Sequence, residues 1–373
     1  MKVSLILPSA YSMRGDVRAT LNLASALATR HEVEVISVRR QKEKPFFPIG
    51  SDVAMRSVID VRPGVRHLLP RGQVRTEVAL WRTLRGLKSD VLITTRPGLG
   101  VQAARHAPRE LLKIAREWGR PAVPGPVQRF YPRLNAVVTA TEAAQEEWTG
   151  LLDGGPAVHC VHDALAAGPW PRSRMDNRIV AAGGRWVPAK AYDRLIKAFA
   201  IVADKRPDWR LRLYGGGPEE RRLRALVREL NLHNHVYFMG TTPDLVGEFA
   251  KASIVANTSR GEDQAMAVLE AMGCGVPVVA FEGTRGPTEF VATGYNGVLV
   301  PESDVPESGT MSDVPRSGTM SDADPQLFAA ALLALIDDER RRRSLAAGAL
   351  DTAMRHAAGE VAEQWEKLIT DLR

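Results

Sequence analysis

The chain has 373 residues, of which 45% are apolar and 25% charged. That length exceeds the usual size of a single core, and that balance is the one found in ordinary globular enzymes, which excludes fibrous and disordered classes. The net charge of +7 is unevenly placed: residues 1–165 hold 24 Lys and Arg against 15 Asp and Glu, and the remainder 26 against 28, so an anionic partner of the N-terminal half is permitted, with an arginine-rich solvated surface as the alternative reading.

Residues 2–8 are a short apolar run closed by Pro8, too short for a signal-peptide core, and predict a first strand. The loop Met13-Arg14-Gly15-Asp16-Val17-Arg18 then leads into an amphipathic helix for which Asp16 reads as the N-cap. Gly15 is a candidate ligand-binding position there. Arg14 and Arg18 could reach a phosphate or a second bound molecule, with solvent-facing arginines as the alternative reading. Val- and Ile-rich runs predict further strands at 32–38, 53–60, 90–95, 136–139 and 158–161, alternating with helical stretches. The segment 163–177 has two prolines and no period, which places a domain boundary there. A second alternating series follows, with strands at 178–182, 210–214, 236–238, 254–257, 276–280 and 297–300.

This pattern predicts an α/β protein of two Rossmann-like, doubly wound domains, whose ligands sit outside the carboxyl ends of the strands. Residues 1–165 form the first domain and 166–350 the second. A closing helix within 351–373 carries Trp365 and is expected to pack back on the first domain. Within 301–324 the nine residues DVPESGTMS (304–312) recur as DVPRSGTMS (313–321), which predicts a mobile surface loop.

No run approaches the roughly 18–20 apolar residues that cross a bilayer, and the two cysteines, Cys160 and Cys274, stand far apart in apolar contexts. The expectation is a cytoplasmic protein without a disulfide, whose basic half leaves a peripheral contact at the inner membrane face open. The N-terminal charges lack an aromatic-interleaved recognition motif, so no nucleic acid partner is expected. The eight histidines show no spacing that builds a zinc site, and no nucleophile elbow occurs.

Three segments can carry chemistry. The first runs from Ser259 through Glu262 and Glu270 to Gly275-Val276-Pro277. A strand-to-helix turn there aims free backbone N–H groups and a positive helix end at a bound anion. Its carboxylates either grip hydroxyl pairs or, in the alternative reading, complement the dipole and face solvent. The second is Gly183-Gly184-Arg185-Trp186-Val187-Pro188-Ala189-Lys190, whose Arg185 and Lys190 suit a diphosphate, with a solvated pair as the alternative. The third, Tyr214-Gly215-Gly216-Gly217-Pro218, brings bare backbone to the same edge. It fits neither the dinucleotide fingerprint nor the phosphate loop.

These segments resemble the retaining glycosyltransferases of family 4, most closely over 178–301 and less so over 1–40 and 134–152. Glu262 to Glu270 matches that family's Glu, seven residues, Glu motif. The resemblance implies the GT-B fold, two domains facing a central cleft, and metal-independent transfer of a hexose-like sugar from a UDP- or GDP-linked donor to a hydroxyl acceptor with retention. It also implies roles. Glu262 contacts the transferred sugar, Glu270 the ribose, backbone amides at Gln264, Ala265 and Met266 the sugar and phosphate, and Arg185 with Lys190 the diphosphate. Gly184 and Gly216 complete the donor set.

Arg285-Gly286-Pro287-Thr288-Glu289 and Val138-Thr139-Ala140-Thr141-Glu142 are similar to the branch with poly(glycerol phosphate) glucosyltransferases, which suits an anionic acceptor. The chain departs from its relatives in three places. It has Arg14-Gly15 for a glycine pair and Asp263-Gln264-Ala265 for a Gly-Phe-Gly-like run. It also has no histidine around Arg116-Glu117-Trp118, so no catalytic histidine is nominated. A sugar-nucleotide epimerase and a non-catalytic nucleotide-sugar-binding protein remain the rival functions.

Overall fold

In the computed structural model, residues 1–63, 73–260, 265–283, 285–302 and 323–373 are described. The chain divides into two compact units, Met1–Ala167 with Ala357–Arg373, and Gly168–His356. Both are doubly wound parallel α/β sheets, the pairing that defines the GT-B fold.

The first unit holds β1 (Lys2–Leu7), β2 (Glu32–Arg40), β3 (Val53–Asp60), β4 (Val91–Thr94), β5 (Leu112–Glu117), β6 (Ala136–Thr139) and β7 (Ala157–Cys160). They lie in the order β3-β2-β1-β4-β5-β6-β7. Helices cover both faces, which is why β1 from Val3 to Leu7 and all of β4 are buried rather than alternating, with an apolar residue at most positions. The last helix, Ala358–Asp371, packs on the first helix, Gly15–Ala28, and buries Trp365 completely in the same core as Val3, Leu5 and Leu27. The preceding helix, Glu339–Arg355, belongs to the second unit.

Strand β5 has no counterpart among the predicted strands. Its sequence, Leu-Lys-Ile-Ala-Arg-Glu, has three charges in six residues, yet all six are buried. Each charge is met locally, as burial of a charge demands. Lys113 donates to the carbonyls of Pro108 and Arg109. Arg116 donates to the carbonyls of Thr139 and Val161 and pairs with Asp163 at 2.6 Å. Glu117 accepts from the Tyr131 hydroxyl at 2.6 Å.

Burial raises the Glu117 carboxyl to about 8, against the opposing influence of Tyr131 and Arg116. Between its ordinary value near 4.5 and about 8, the folded chain therefore holds a proton that the unfolded chain has lost. This group's contribution to stability is full at low pH and falls as pH rises, by at most ~1.4 kcal/mol per pH unit. Glu117→Gln is expected to flatten the fall in denaturation midpoint between pH 5 and pH 8. An unchanged pH slope in that variant would remove Glu117 as its source.

The second unit holds β8 (Ile179–Arg185), β9 (Arg210–Gly216), β10 (Val236–Gly240), β11 (Ile254–Asn257), β12 (Val278–Phe281) and β13 (Gly297–Val300). Their order is β10-β9-β8-β11-β12-β13. The strand order reverses between β8 and β11, so the carboxyl ends of these two strands flank the crevice where such sheets take ligands. Arg194, 1% exposed, joins Glu302 at 2.6 Å to Asp324 at 2.9 Å under the ring of Phe281. It thereby ties together the two ends of the segment that contains the nine-residue repeat. The repeat itself lies outside the described residues.

Candidate donor site

A pocket opens at the β8–β11 switch point, lined among others by Gly183, Lys190, Tyr192, Asn257, Ser259 and Ala267. Lys190 closes a short 3-10 turn, Pro188–Lys190. The next residue, Ala191, sits in the left-handed region at φ 46°, a conformation that costs a non-glycine residue about 1–2 kcal/mol. Neighbouring hydrogen bonds hold it there. The buried Thr258 hydroxyl, just past β11, faces the carbonyls of Ala191 at 3.1 Å and Lys190 at 3.3 Å, and the Arg260 amide donates to the Ala189 carbonyl at 2.8 Å. The end of β11 therefore fixes the turn that presents Lys190.

The helix Met266–Gly273 starts at the same pocket, and its N-cap, Ala265, has no side chain able to cap it. The first amides of a helix have no partner within it; here the first bonds back to Ala265 come from Val268 and Leu269. Positive helix end and lysine thus face one small space, an arrangement suited to phosphate.

Glycines form the adjoining wall. A β-carbon on Gly215, at φ 144°, would stand 1.9 Å from the Gly184 carbonyl oxygen, and one on Gly217 would stand 2.4 Å from that of Trp186. The loops after β8 and β9 are therefore pressed backbone to backbone. The Trp186 amide donates to the Gly216 carbonyl at 3.0 Å, and the Trp186 ring is buried against Phe238.

The predicted residues are placed as follows. Lys190 lines the switch-point pocket; Ala265 and Met266 begin the helix whose Ala267 and Val268 line it, but are not lining residues themselves, and Gly184 lies beside the Lys190 stem, 3.9 Å from its Cε to the site of an added β-carbon. Arg185 is exposed at the end of β8, paired in register with Gly216, and is not among the pocket-lining residues. Glu270 lies one turn further along the helix and is 3% exposed, which overturns the solvated alternative for it. Burial, and after it the charge of Glu270, push the Cys274 thiol up to about 12. Glu262 and Gln264 lie outside the described residues.

In the first unit Asp16 is not the N-cap. The helix starts at Gly15, its N-cap is Arg14 with no side-chain cap bond, and Asp16 in the first turn pairs with Arg14 at 3.0 Å and with Arg96. That carboxylate is shared between the two arginines and the Val17 amide, which donates to it at 3.0 Å. Arg18 lies over the ring of Phe47 at 5.2 Å. Arg96, which closes this cluster just past β4, carries no motif and was not singled out in the sequence.

Residues 171–308 match the family described as Glycosyl transferases group 1. The match falls within the second unit and spans the whole candidate site. Over its full length the chain is 32% identical to an exopolysaccharide phosphotransferase of Streptomyces coelicolor, of which it spans 41%. An uncharacterised glycosyltransferase of Haemophilus influenzae is 23% identical over 82% of this chain and 88% of its own. Among solved structures, Anabaena HepE in complex with UDP superposes over all of both chains with a TM-score of 0.74 at 19% identity, which establishes the shared fold. No helix among the described residues is long and apolar enough to cross a membrane.

Proposed function

We propose that the chain transfers a hexose-like sugar from a UDP- or GDP-linked donor to a hydroxyl acceptor, with retention at the anomeric carbon, as family 4 glycosyltransferases do. The observation that carries this reading is the shared pocket of Lys190 and the uncapped start of the helix Met266–Gly273. As the bond between the anomeric carbon and the diphosphate oxygen breaks, its electron pair moves to the diphosphate. Lys190, Arg185 and the helix amides stabilise that charge more in the transition state than before it. The acceptor oxygen bonds to the anomeric carbon on the face being vacated and gives its proton to the departing diphosphate oxygen, so no separate base is required.

Glu262 and the amides at Gln264 to Met266 hold the sugar. Glu270 accepts the ribose hydroxyls, a task for which a carboxylate has about four lone-pair sites. The basic N-terminal half and the exopolysaccharide named in the Streptomyces coelicolor relative favour an anionic polysaccharide acceptor.

A thermal-shift screen of UDP- and GDP-sugars tests this. At one hundred times Kd the correct donor stabilises the fold by about 2.7 kcal/mol, a rise of roughly 3–4 °C, and sugar transfer to an acceptor panel follows. An epimerised donor would instead assign the epimerase reaction, and donor binding without hydrolysis or transfer would assign a binding protein. Indifference to every nucleotide sugar refutes the site.

A further inference from the structure

The helix Gln73–Arg85 in the first unit has apolar residues in two separate stripes, roughly 100° apart around its axis. Leu80 and Leu84 enter the core with Ile6 and Leu92. Val74, Val78 and Trp81, spaced four and three apart, face outward with exposures of 73%, 37% and 38%. At 100° per residue they form one stripe that continues into Arg85, whose guanidinium lies 5.2 Å over the Trp81 ring. Core packing explains the first side and does nothing for the second.

Glu77 lies beside the stripe, but the charge beyond it is basic. The neighbouring helix, Pro97–His106, ends in Arg105 and His106, and His106 is pushed down by burial first and then by Arg105 and Arg85 together. Beyond it, Arg105, Arg129 and Arg133 stand 5.3, 5.3 and 5.4 Å from the ring of Phe130. Arg82, Arg85, Arg105, Arg129 and Arg133 are all exposed, and none forms an ion pair among the described residues. Elsewhere arginines are routinely paired, as Arg30, Arg56, Arg62 and Arg224 show. Unpaired cations beside outward valines and a tryptophan match the composition of helices that lie in a membrane interface.

We infer that this face docks on an anionic lipid surface, with Val74, Val78 and Trp81 entering the acyl boundary and the five arginines meeting headgroup phosphates. Charge complementarity supplies the attraction. The aliphatic stripe favours lipid over a soluble polyanion, because a phosphate chain in water gains little from valine. Docking there would hold the N-terminal unit of the proposed transferase at the surface where lipid-linked or envelope acceptors lie.

Cosedimentation of the full chain with phosphatidylcholine vesicles, with and without 30% phosphatidylglycerol, tests the inference. Binding is expected only with the anionic lipid and is expected to weaken at high salt. Arg82→Glu with Arg85→Glu should weaken it by at least about 30-fold, and Val78→Asp should weaken it as well. Arg340→Glu with Arg341→Glu, an equal charge change on the second unit, should leave it intact. Each variant should keep the melting temperature and the donor-induced shift of the parent, which separates failed docking from a wrong donor assignment. Absence of vesicle binding, equal binding by all variants, or binding to heparin or RNA in place of vesicles overturns the inference.

Discussion

Lys190→Ala is expected to lower kcat by about 10²–10³, the loss seen when one donor to a developing anion is removed, with little change in donor Kd. The distinction follows from where the charge appears. A bound diphosphate ester already carries negative charge, and cleavage adds to it at the bridging oxygen, so a cation beside that oxygen acts mostly on the barrier. The fold should survive, because Lys190 is only part-buried and its backbone is held by Thr258 and by the Pro188–Lys190 turn, none of which needs the ammonium group. Arg185→Ala carries the same expectation with a smaller loss, since Arg185 is exposed and outside the pocket lining. Initial rates of nucleoside diphosphate release measure both. A kcat within twofold of the parent in both variants would refute the diphosphate assignment.

The second large effect is on stability. Arg194→Ala should cost about 3–5 kcal/mol, the usual consequence of removing one member of a buried ion network. Arg194 satisfies Asp324, which is buried, and Glu302, and also covers the ring of Phe281. Without it the two carboxylates are left close together with no cation between them. The loss belongs to the stranded charges and not to the pair as such. Accordingly, Arg194→Met combined with Glu302→Gln and Asp324→Asn should recover most of the stability that Arg194→Met alone loses. Urea midpoints of the three proteins decide the matter; an Arg194→Ala midpoint equal to the parent's would show that the network contributes nothing.

Strands such as β1, β4, β6, β11 and β13 were legible because a strand covered by helices on both faces is mostly apolar, and a run of Val and Ile has few other uses. Strand β5 was illegible for the converse reason. Its Lys113, Arg116 and Glu117 resemble a solvated face until, for Arg116 and Glu117, partners 14 to 47 residues away, Tyr131 and Asp163 among them, are brought against it. The Asp16 reading failed similarly: an acid before an apolar run is a good cap locally, but Arg96, 80 residues on, competes for it.

Local chemistry in the chain was enough to specify two doubly wound halves, the strand ends that carry Lys190 and the helix with Glu270, and an excess of positive charge before residue 166. These rest on periodicity, on glycine's freedom and on counting, which are properties of neighbouring residues. Tertiary structure alone decided that Glu270 is buried, that Thr258 steadies the Lys190 turn, that Val74, Val78 and Trp81 stay exposed, and that Arg105, Arg129 and Arg133 gather around Phe130. Burial and pairing depend on what the folded chain brings from elsewhere, and no window along the sequence contains that information.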